Sequence, residues 1–380
     1  MNGPLAGTRV LDLSIMAAGP WTGALLGELG AEVIKVEPPA GDGTRWVEPL
    51  QNGMGTNYMS MNVNKRGMIL DLKDPVGCTA ARQLAARSDV LVQNFRVGAV
   101  DNLGIGYEDL RPLNPRLVYC SISGFGSTGP LAAERCADYI MQAFSGFARI
   151  NGSTGADAQA EAFRFTGCLD LTTSIVAVEA ILAALLERED TGAGQHVDVS
   201  MLEAALEIQY DRFAEMLIAG QCAVPMGSES SAFAPDRAFS SVDRDVFVSV
   251  RSDRQWRALC AALELPELAE HREFATNRLR VEHRQLLGEM LEPAFAAKPA
   301  IWWLRVLRRA GIAVGLGQHL ETFRYHGQVI ANQMIAEIPT PWGEVMVGGL
   351  PWKFSQTPCE VRSAPTPGGD TEAVLKELEA

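Results

Sequence analysis

Much that would suggest a familiar chemistry is scarce in this chain. Its seven cysteines (Cys78, Cys120, Cys136, Cys168, Cys222, Cys260, Cys359) are odd in number, widely spaced and without a Cys-x-x-Cys pair. They indicate neither a zinc site nor a disulfide framework. Only five histidines occur (His196, His271, His283, His319, His326), no two of them four apart, so no metal is expected. Basic residues are outnumbered, 33 Lys+Arg against 46 Asp+Glu, which leaves a formal net charge of −13. Nucleic acid and anionic membrane would repel such a surface, so neither is expected as a partner, and a polyanionic ligand must find a local basic pocket. The strongest apolar run, Ser174 to Leu186, is interrupted by Glu179 and is short against a bilayer core of about 30 Å. The opening Met-Asn-Gly-Pro-Leu-Ala-Gly-Thr-Arg has no apolar core of the signal-peptide kind, so a cytoplasmic location is expected.

What is present reads as a globular α/β chain. The 380 residues are 47% hydrophobic and 21% charged, enough for one large α/β domain with a smaller one attached. Strand patterns at 9–14, 31–37, 89–95, 117–123 and 195–201 alternate with helical patterns at 20–29, 74–86, 107–113, 137–147 and 171–188. Such alternation predicts βαβ units and a largely parallel, Rossmann-like sheet. A further helix runs to about 218, and a polar stretch from 220 to 234 leads into a second module. That module reads as a short strand (246–250) with three helices, including 277–291 and 300–309. Another strand at 342–347 and a helix at 371–378 follow.

No Gly-x-Gly-x-x-Gly follows the first strand, which removes the signature of an NAD-dependent dehydrogenase. Ala17-Ala18-Gly19-Pro20 stands there instead, a small-residue turn that lets a ligand approach the N–H groups of a helix start. Five further segments accompany it. They are Val33-Ile34-Lys35-Val36-Glu37-Pro38-Pro39 with Gly41-Asp42-Gly43-Thr44-Arg45; Asn64-Lys65-Arg66-Gly67 with Leu70-Asp71-Leu72-Lys73; Asn94-Phe95-Arg96-Val97-Gly98; Ser123-Gly124-Phe125-Gly126 with Thr128-Gly129-Pro130; and Thr191-Gly192-Ala193-Gly194-Gln195-His196. In this order and spacing the chain resembles the class III coenzyme A transferases, the group of formyl-CoA and carnitine CoA-transferases. The resemblance spans nearly the whole chain and is densest over the first 205 residues.

The resemblance implies a nucleophilic aspartate ahead of the long helix, at Asp170 in Phe165-Thr166-Gly167-Cys168-Leu169-Asp170. A carboxylate suits the task because its attack on a thioester gives a mixed anhydride that retains the thioester's energy. Read from position alone, Asp170 is equally a helix N-cap, and the helix dipole would keep its carboxylate ionised. The resemblance further implies that Ala17, Ala18, Leu70, Asp71, Leu72, Lys73, Asn94, Phe95, Arg96, Arg135 and Asp138 surround acyl-CoA, with Lys73, Arg96 and Arg135 near its phosphates. Asn102 stands where many relatives carry a basic residue of that pocket. CoA enters as a substrate, and no permanently bound cofactor is expected. Oxalate-handling members carry Gln at the position of Ala17 and a glycine run where this chain has Met226-Gly227-Ser228-Glu229-Ser230, so formyl-CoA and oxalate are poor candidates. Ser228, Ser230 and His319 are candidates to read an acceptor's far carboxylate.

Two other functions compete. A racemase of the same fold would need His in the segment Cys136-Ala137-Asp138-Tyr139, where Ala137 stands. A non-catalytic CoA-binding subunit has no need of Asp170. The expectation is therefore a CoA-transferase acting on a small carboxylic or dicarboxylic acid, with a CoA-binding domain at 1–205, a linker at 206–234, a small domain at 235–334 and a return to the large domain at 335–380. The resemblance implies an interlocked homodimer.

Overall fold

The structure, a computed structural model of the chain, describes residues 2–151, 160–164 and 167–379. Phe165 and Thr166 of the Asp170 segment lie outside them. Six strands build the main sheet: β1 (Arg9–Asp12), β2 (Glu32–Glu37), β3 (Lys65–Ile69), β4 (Val90–Gln93), β5 (Val118–Ser123) and β6 (His196–Ser200). All pair in parallel, in the order β3-β2-β1-β4-β5-β6. This is the doubly wound order, and its direction reverses between β1 and β4. In such sheets the loops leaving those two strands part to form the ligand crevice.

Both faces of the sheet are buried, which explains the nearly continuous apolar runs. Val10, Val33, Val90 and Val92 face one layer with Leu26, Ala177 and Ile181. Their neighbours Leu11, Ile34 and Leu91 face the other, with Ala81, Leu84 and Val374. The helices used below are α1 (Ala18–Glu28), α2 (Pro75–Ala86), α3 (Asp138–Phe144), α4 (Cys168–Thr191), α5 (Met201–Ile208) and α6 (Tyr210–Ala219). Asp74 caps α2, whose first residue is Pro75. Ser200 and Glu203 form a capping box on α5.

Helix α4 corrects two expectations. It starts at Cys168 rather than Leu171, and its 24 residues are long and apolar enough to cross a membrane. Packing accounts for that composition: Ala177, Val178, Ile181, Ala184 and Leu185 are buried against the sheet.

Two compact units divide the chain. The larger comprises Met1–Ala148, Ala162–Cys222 and Gly327–Ala380, the smaller Arg149–Glu161 and Ala223–His326. The expected linker at 206–234 is thus mostly helix, because α5 and α6 run to Ala219 and belong to the larger unit. The smaller unit carries an antiparallel three-stranded sheet of β7 (Asp236–Ser240), β8 (Asp245–Ser249) and β9 (Ala313–Leu316), with β8 central. Its core holds Phe239 stacked on Phe295 at 4.3 Å, with Trp256 and Trp303. In the larger unit the chain returns as a hairpin, β10 (Ile335–Thr340) and β11 (Gly343–Gly348), and ends in a helix at Thr371–Glu379.

Candidate active site

A cleft of about 390 Å³ opens at the point where the strand order reverses. Its walls include Ala17 and Ala18 after β1, Asn94, Phe95 and Arg96 after β4, Arg135 and Asp138 at the approach to α3, and Asp170 in the first turn of α4. Eight residues expected from the sequence are thereby brought together. Ser174 draws α4 onto α1, its hydroxyl donating to the carbonyls of Ala18 (2.7 Å) and Asp170 (2.8 Å). Met141, Leu169, Met201 and Ala205 pack into an apolar cluster that joins α3, α4 and α5.

The remaining five expected residues lie outside that lining. Leu70 is buried in the sheet core and Leu72 packs against the same cluster. Asp71 and Lys73 are exposed in the turn after β3, where the Asp71 carboxylate accepts the N–H of Lys73 at 3.0 Å. That turn belongs to the same carboxyl edge of the sheet as the cleft. Asn102 is exposed at the end of the single turn Ala99–Asn102. Asn94 does reach the cleft, but its amide is already committed: Oδ1 accepts from Ile15 N (2.8 Å) and Nδ2 donates to Ile15 O (2.7 Å).

The two carboxylates at the head of α4 have divided their duties. Asp138 Oδ2 accepts from the N–H groups of Leu169 (2.7 Å) and Asp170 (3.0 Å), so Asp138 provides the side-chain cap of α4 from a different helix. Gly167, the residue in the N-cap position, has no side chain to do so. Asp170 is therefore not the cap. Among the described residues, no hydrogen-bond donor reaches its carboxylate.

Asp170 is also not held ionised in the way its place in the first turn suggests. Burial, then the charge of Asp138, push it up to about 7. The physical reason is that two of the N–H groups that would stabilise the Asp170 anion already serve Asp138. Space is tight as well: a Cβ on Gly167 would lie 3.0 Å from Asp170 Oδ2.

Gln142 was not singled out in the sequence, yet it orients this pair. Fully buried, it donates from Nε2 to Asp138 Oδ1 and to Phe163 O (3.0 Å), and accepts from Phe163 N (2.8 Å). The i, i+4 spacing of Asp138 and Gln142 was the available signal.

Beside the cleft, sharing Phe95 and Arg96 with it, lies a hollow of about 200 Å³. Here His196 stacks on Tyr107 at 5.2 Å, and its Nε2 is 2.8 Å from Ser121 Oγ. No histidine lines the main cleft, and Ala137 contributes its methyl group where a racemase would have an imidazole. In the smaller unit, the hydroxyls of Ser228 and Ser230 accept the N–H groups of Ala238 (3.1 Å) and Ala232 (3.2 Å), and His319 precedes the single turn Leu320–Phe323. Both serines thus brace their own loop. Among the described residues, no three His, Cys, Asp or Glu side chains converge as metal ligands.

Comparison with known proteins agrees with this geometry. The profile of CoA-transferase family III matches residues 5–371. Succinyl-CoA:glutarate CoA-transferase of Mus musculus is 35% identical over 379 residues, covering 99% of this chain and 86% of that protein. Acetyl-CoA:oxalate CoA-transferase of Acetobacter aceti is 34% identical over 382 residues, covering 100% of this chain and 97% of that one. The crystal structure of a CaiB/BaiF family protein from Brucella suis superposes with a TM-score of 0.90 at 31% identity, covering 100% of both chains.

Proposed function

The chain belongs to CoA-transferase family III, and from that premise we propose that it moves CoA from an acyl-CoA donor to a small dicarboxylic acid, with Asp170 as nucleophile. The Asp170 carboxylate attacks the thioester carbonyl, the C–S bond breaks, and CoA leaves as the thiolate, giving a mixed anhydride. The thiolate then attacks the aspartyl carbonyl and expels the donor acid as its carboxylate, which leaves an aspartyl-CoA thioester. The acceptor carboxylate attacks that thioester, expelling the thiolate and forming a second anhydride. Thiolate attack on the acceptor's acyl carbon yields the new acyl-CoA and restores Asp170. One thioester is exchanged for another with no net proton or electron transfer, so the sequence needs no ATP or redox partner.

The observation that carries this reading is the Asp170 carboxylate itself: in the cleft wall, without a donor on it, and pushed up to about 7 by burial and by Asp138. A carboxylate not spent on structure, and more basic than usual, is a better nucleophile once ionised. Arg96 and Arg135, exposed in the same cleft and in no ion pair, suit the phosphates of CoA. A dicarboxylic acceptor is favoured because the names of the mouse and Acetobacter relatives specify glutarate and oxalate, respectively. The Acetobacter protein's 34% identity also weakens the sequence grounds for setting oxalate aside. The homodimer belongs to the same proposal. Leu217 and Ile218 on α6 are 71% and 86% exposed, apolar surface suited to a second copy, which light scattering would detect.

Mass spectrometry in D₂O, with pooled acyl-CoAs (including a chiral 2-methylacyl-CoA) and pooled free acids, tests the reaction. New CoA thioesters of the supplied acids, free of deuterium at the α-carbon, are expected. Deuterium in the α-carbon of an unchanged acyl-CoA would make the protein a racemase instead, and would require a base that Ala137 cannot supply.

A further inference from the structure

Three consecutive residues at the cleft, Ser14, Ile15 and Met16, have their backbone held by side chains from three other parts of the larger unit. Ser14 N donates to Asp12 Oδ1 (2.9 Å), and Ser14 O accepts from the buried Lys35 ammonium. Ile15 is gripped at both its N–H and its carbonyl by Asn94. Met16 N donates to Asp42 Oδ2 (3.2 Å), the oxygen that also lies 3.4 Å from Lys35 Nζ. The other oxygen of Asp42 accepts from Thr44 N (2.9 Å) and Thr44 Oγ1 (2.7 Å). Asp12 is in turn paired with Lys65 at 2.8 Å, and Asp12, Lys35 and Asp42 are all fully or almost fully buried.

What this framework holds is an unfavourable conformation. Met16 has φ +68°, in the left-handed region that a side chain such as methionine rarely adopts, and its side chain is 52% exposed, so packing of the side chain does not explain it. Directly after it, α1 begins without a side-chain cap, and Gly19 lies so close that a Cβ there would come within 2.2 Å of Ser14 Cβ. A strained residue persists only where its surroundings over-determine it, and here the over-determined stretch is the one that delivers Ala17 and Ala18 to the cleft.

We propose that Asp42 and Asn94 are positioning residues for CoA. They act through the backbone of Ser14–Met16, which sets the start of α1 in place before the ligand arrives, and not through contacts of their own side chains with it. This inference rests on the reading that the cleft takes CoA. Preorganisation of this kind lowers the ordering cost of binding and so appears in affinity.

The test is a double-variant cycle on CoA affinity by titration calorimetry, with melting temperature measured in parallel. Asp42→Asn keeps the volume but has one acceptor oxygen, which serves Thr44 or Met16 and not both. Asn94→Ala removes both bonds to Ile15. Each single variant is expected to weaken CoA binding about tenfold, as loss of one or two hydrogen bonds would. Because both release the same loop, the double variant is expected to remain near tenfold, whereas either change combined with Arg96→Ala multiplies to about a hundredfold. Should Asp42→Asn not fold, Met16→Gly takes its place in the cycle, since it loosens the same loop at an exposed position. Single variants that bind CoA like the unaltered chain would overturn the inference, as would Asn94 and Asp42 effects that multiply. If the unaltered chain binds no CoA, the reading of the cleft fails first and the inference with it.

Discussion

Asp138 Oδ2 accepts the backbone N–H of Asp170 at 3.0 Å, so that one carboxylate caps the helix whose first turn carries the other. The consequence is chemical. Asp138 takes over the structural duty that an acidic residue at a helix start usually performs, and its charge then raises the proton affinity of the side chain it has released from that duty. The site thereby obtains a carboxylate with no structural hydrogen bond to break before it attacks.

The pH dependence of transfer follows from this pair. With Asp170 near 7 in the free protein and only its anion reactive, kcat/KM is expected to rise with pH through about 7 and to level off above it. Asp138→Asn removes the neighbouring charge but retains an acceptor oxygen for the cap. Its acidic limb is expected to move down by about one pH unit, not all the way to the ordinary aspartate range, because burial is the larger cause. Initial rates from about pH 5 to 9 check both curves, and an unmoved limb would mean that Asp138 does not tune Asp170.

Stability should change in the opposite sense to activity. The folded carboxyl at about 7 lies above its unfolded value near 3.8, so between those values the folded chain keeps a proton that the unfolded chain has lost. Stability therefore falls as pH rises through that window, and the full deficit is present above 7. Three pH units correspond to about 4 kcal/mol at most, and solvent in the cleft reduces this to perhaps half, on the order of 2 kcal/mol. Asp170→Asn is expected to melt several degrees higher than the unaltered protein at pH 8 and nearly equally at pH 4, while losing more than about a thousandfold in transfer. Calorimetric melting at the two pH values, alongside the transfer assay, would expose a purely structural Asp170 as a variant that melts lower.

Gly167→Ala tests how closely the nucleophile is placed. The new Cβ would stand 3.0 Å from Asp170 Oδ2, and at φ −79° the backbone itself accepts alanine without strain. A shift of a few tenths of an ångström is expected to lower kcat by about tenfold to a hundredfold with little change in CoA affinity. Single-turnover rates and CoA titration separate the two.

Arg96 and Lys73 should differ. Arg96 is in the cleft wall and Lys73 lies outside it on the same edge of the sheet. Both alanine variants are expected to weaken CoA binding without lowering kcat, Arg96→Ala by about tenfold and Lys73→Ala by less, with a smaller salt dependence in each case. Affinities measured at two ionic strengths check the order.

How much was legible in the sequence depended on how local each cause was. The apolar runs of β1, β2, β4 and β5 read correctly, because strands buried on both faces announce themselves without help from distant residues. Strand β3 did not, since Lys65-Arg66-Gly67 looks like a polar turn. Lys65 is tolerated there only because Asp12, 53 residues earlier, and the side chain of Asn62 satisfy its ammonium in the core. The start of α4 was placed three residues late for a similar reason: its cap, Asp138, lies about 30 residues upstream. The polar sequence around Gly220 marked a break in the fold, but gave no sign that α6 continues to Ala219 with much of its apolar surface exposed.

The sequence by itself determined the alternating α/β pattern, the acidic balance and the motif residues that name Asp170, Arg96 and Ala17 together, since these depend on residue type and near spacing. Only the tertiary structure decided which of two aspartates caps α4 and which stands free, that Asn94 grips Ile15, and that Met16 is held in a left-handed turn. Those outcomes turn on which donors and acceptors meet across 30 to 80 residues of chain. Each buried N–H must find one partner, and the competition for it is settled by packing rather than by neighbours in sequence.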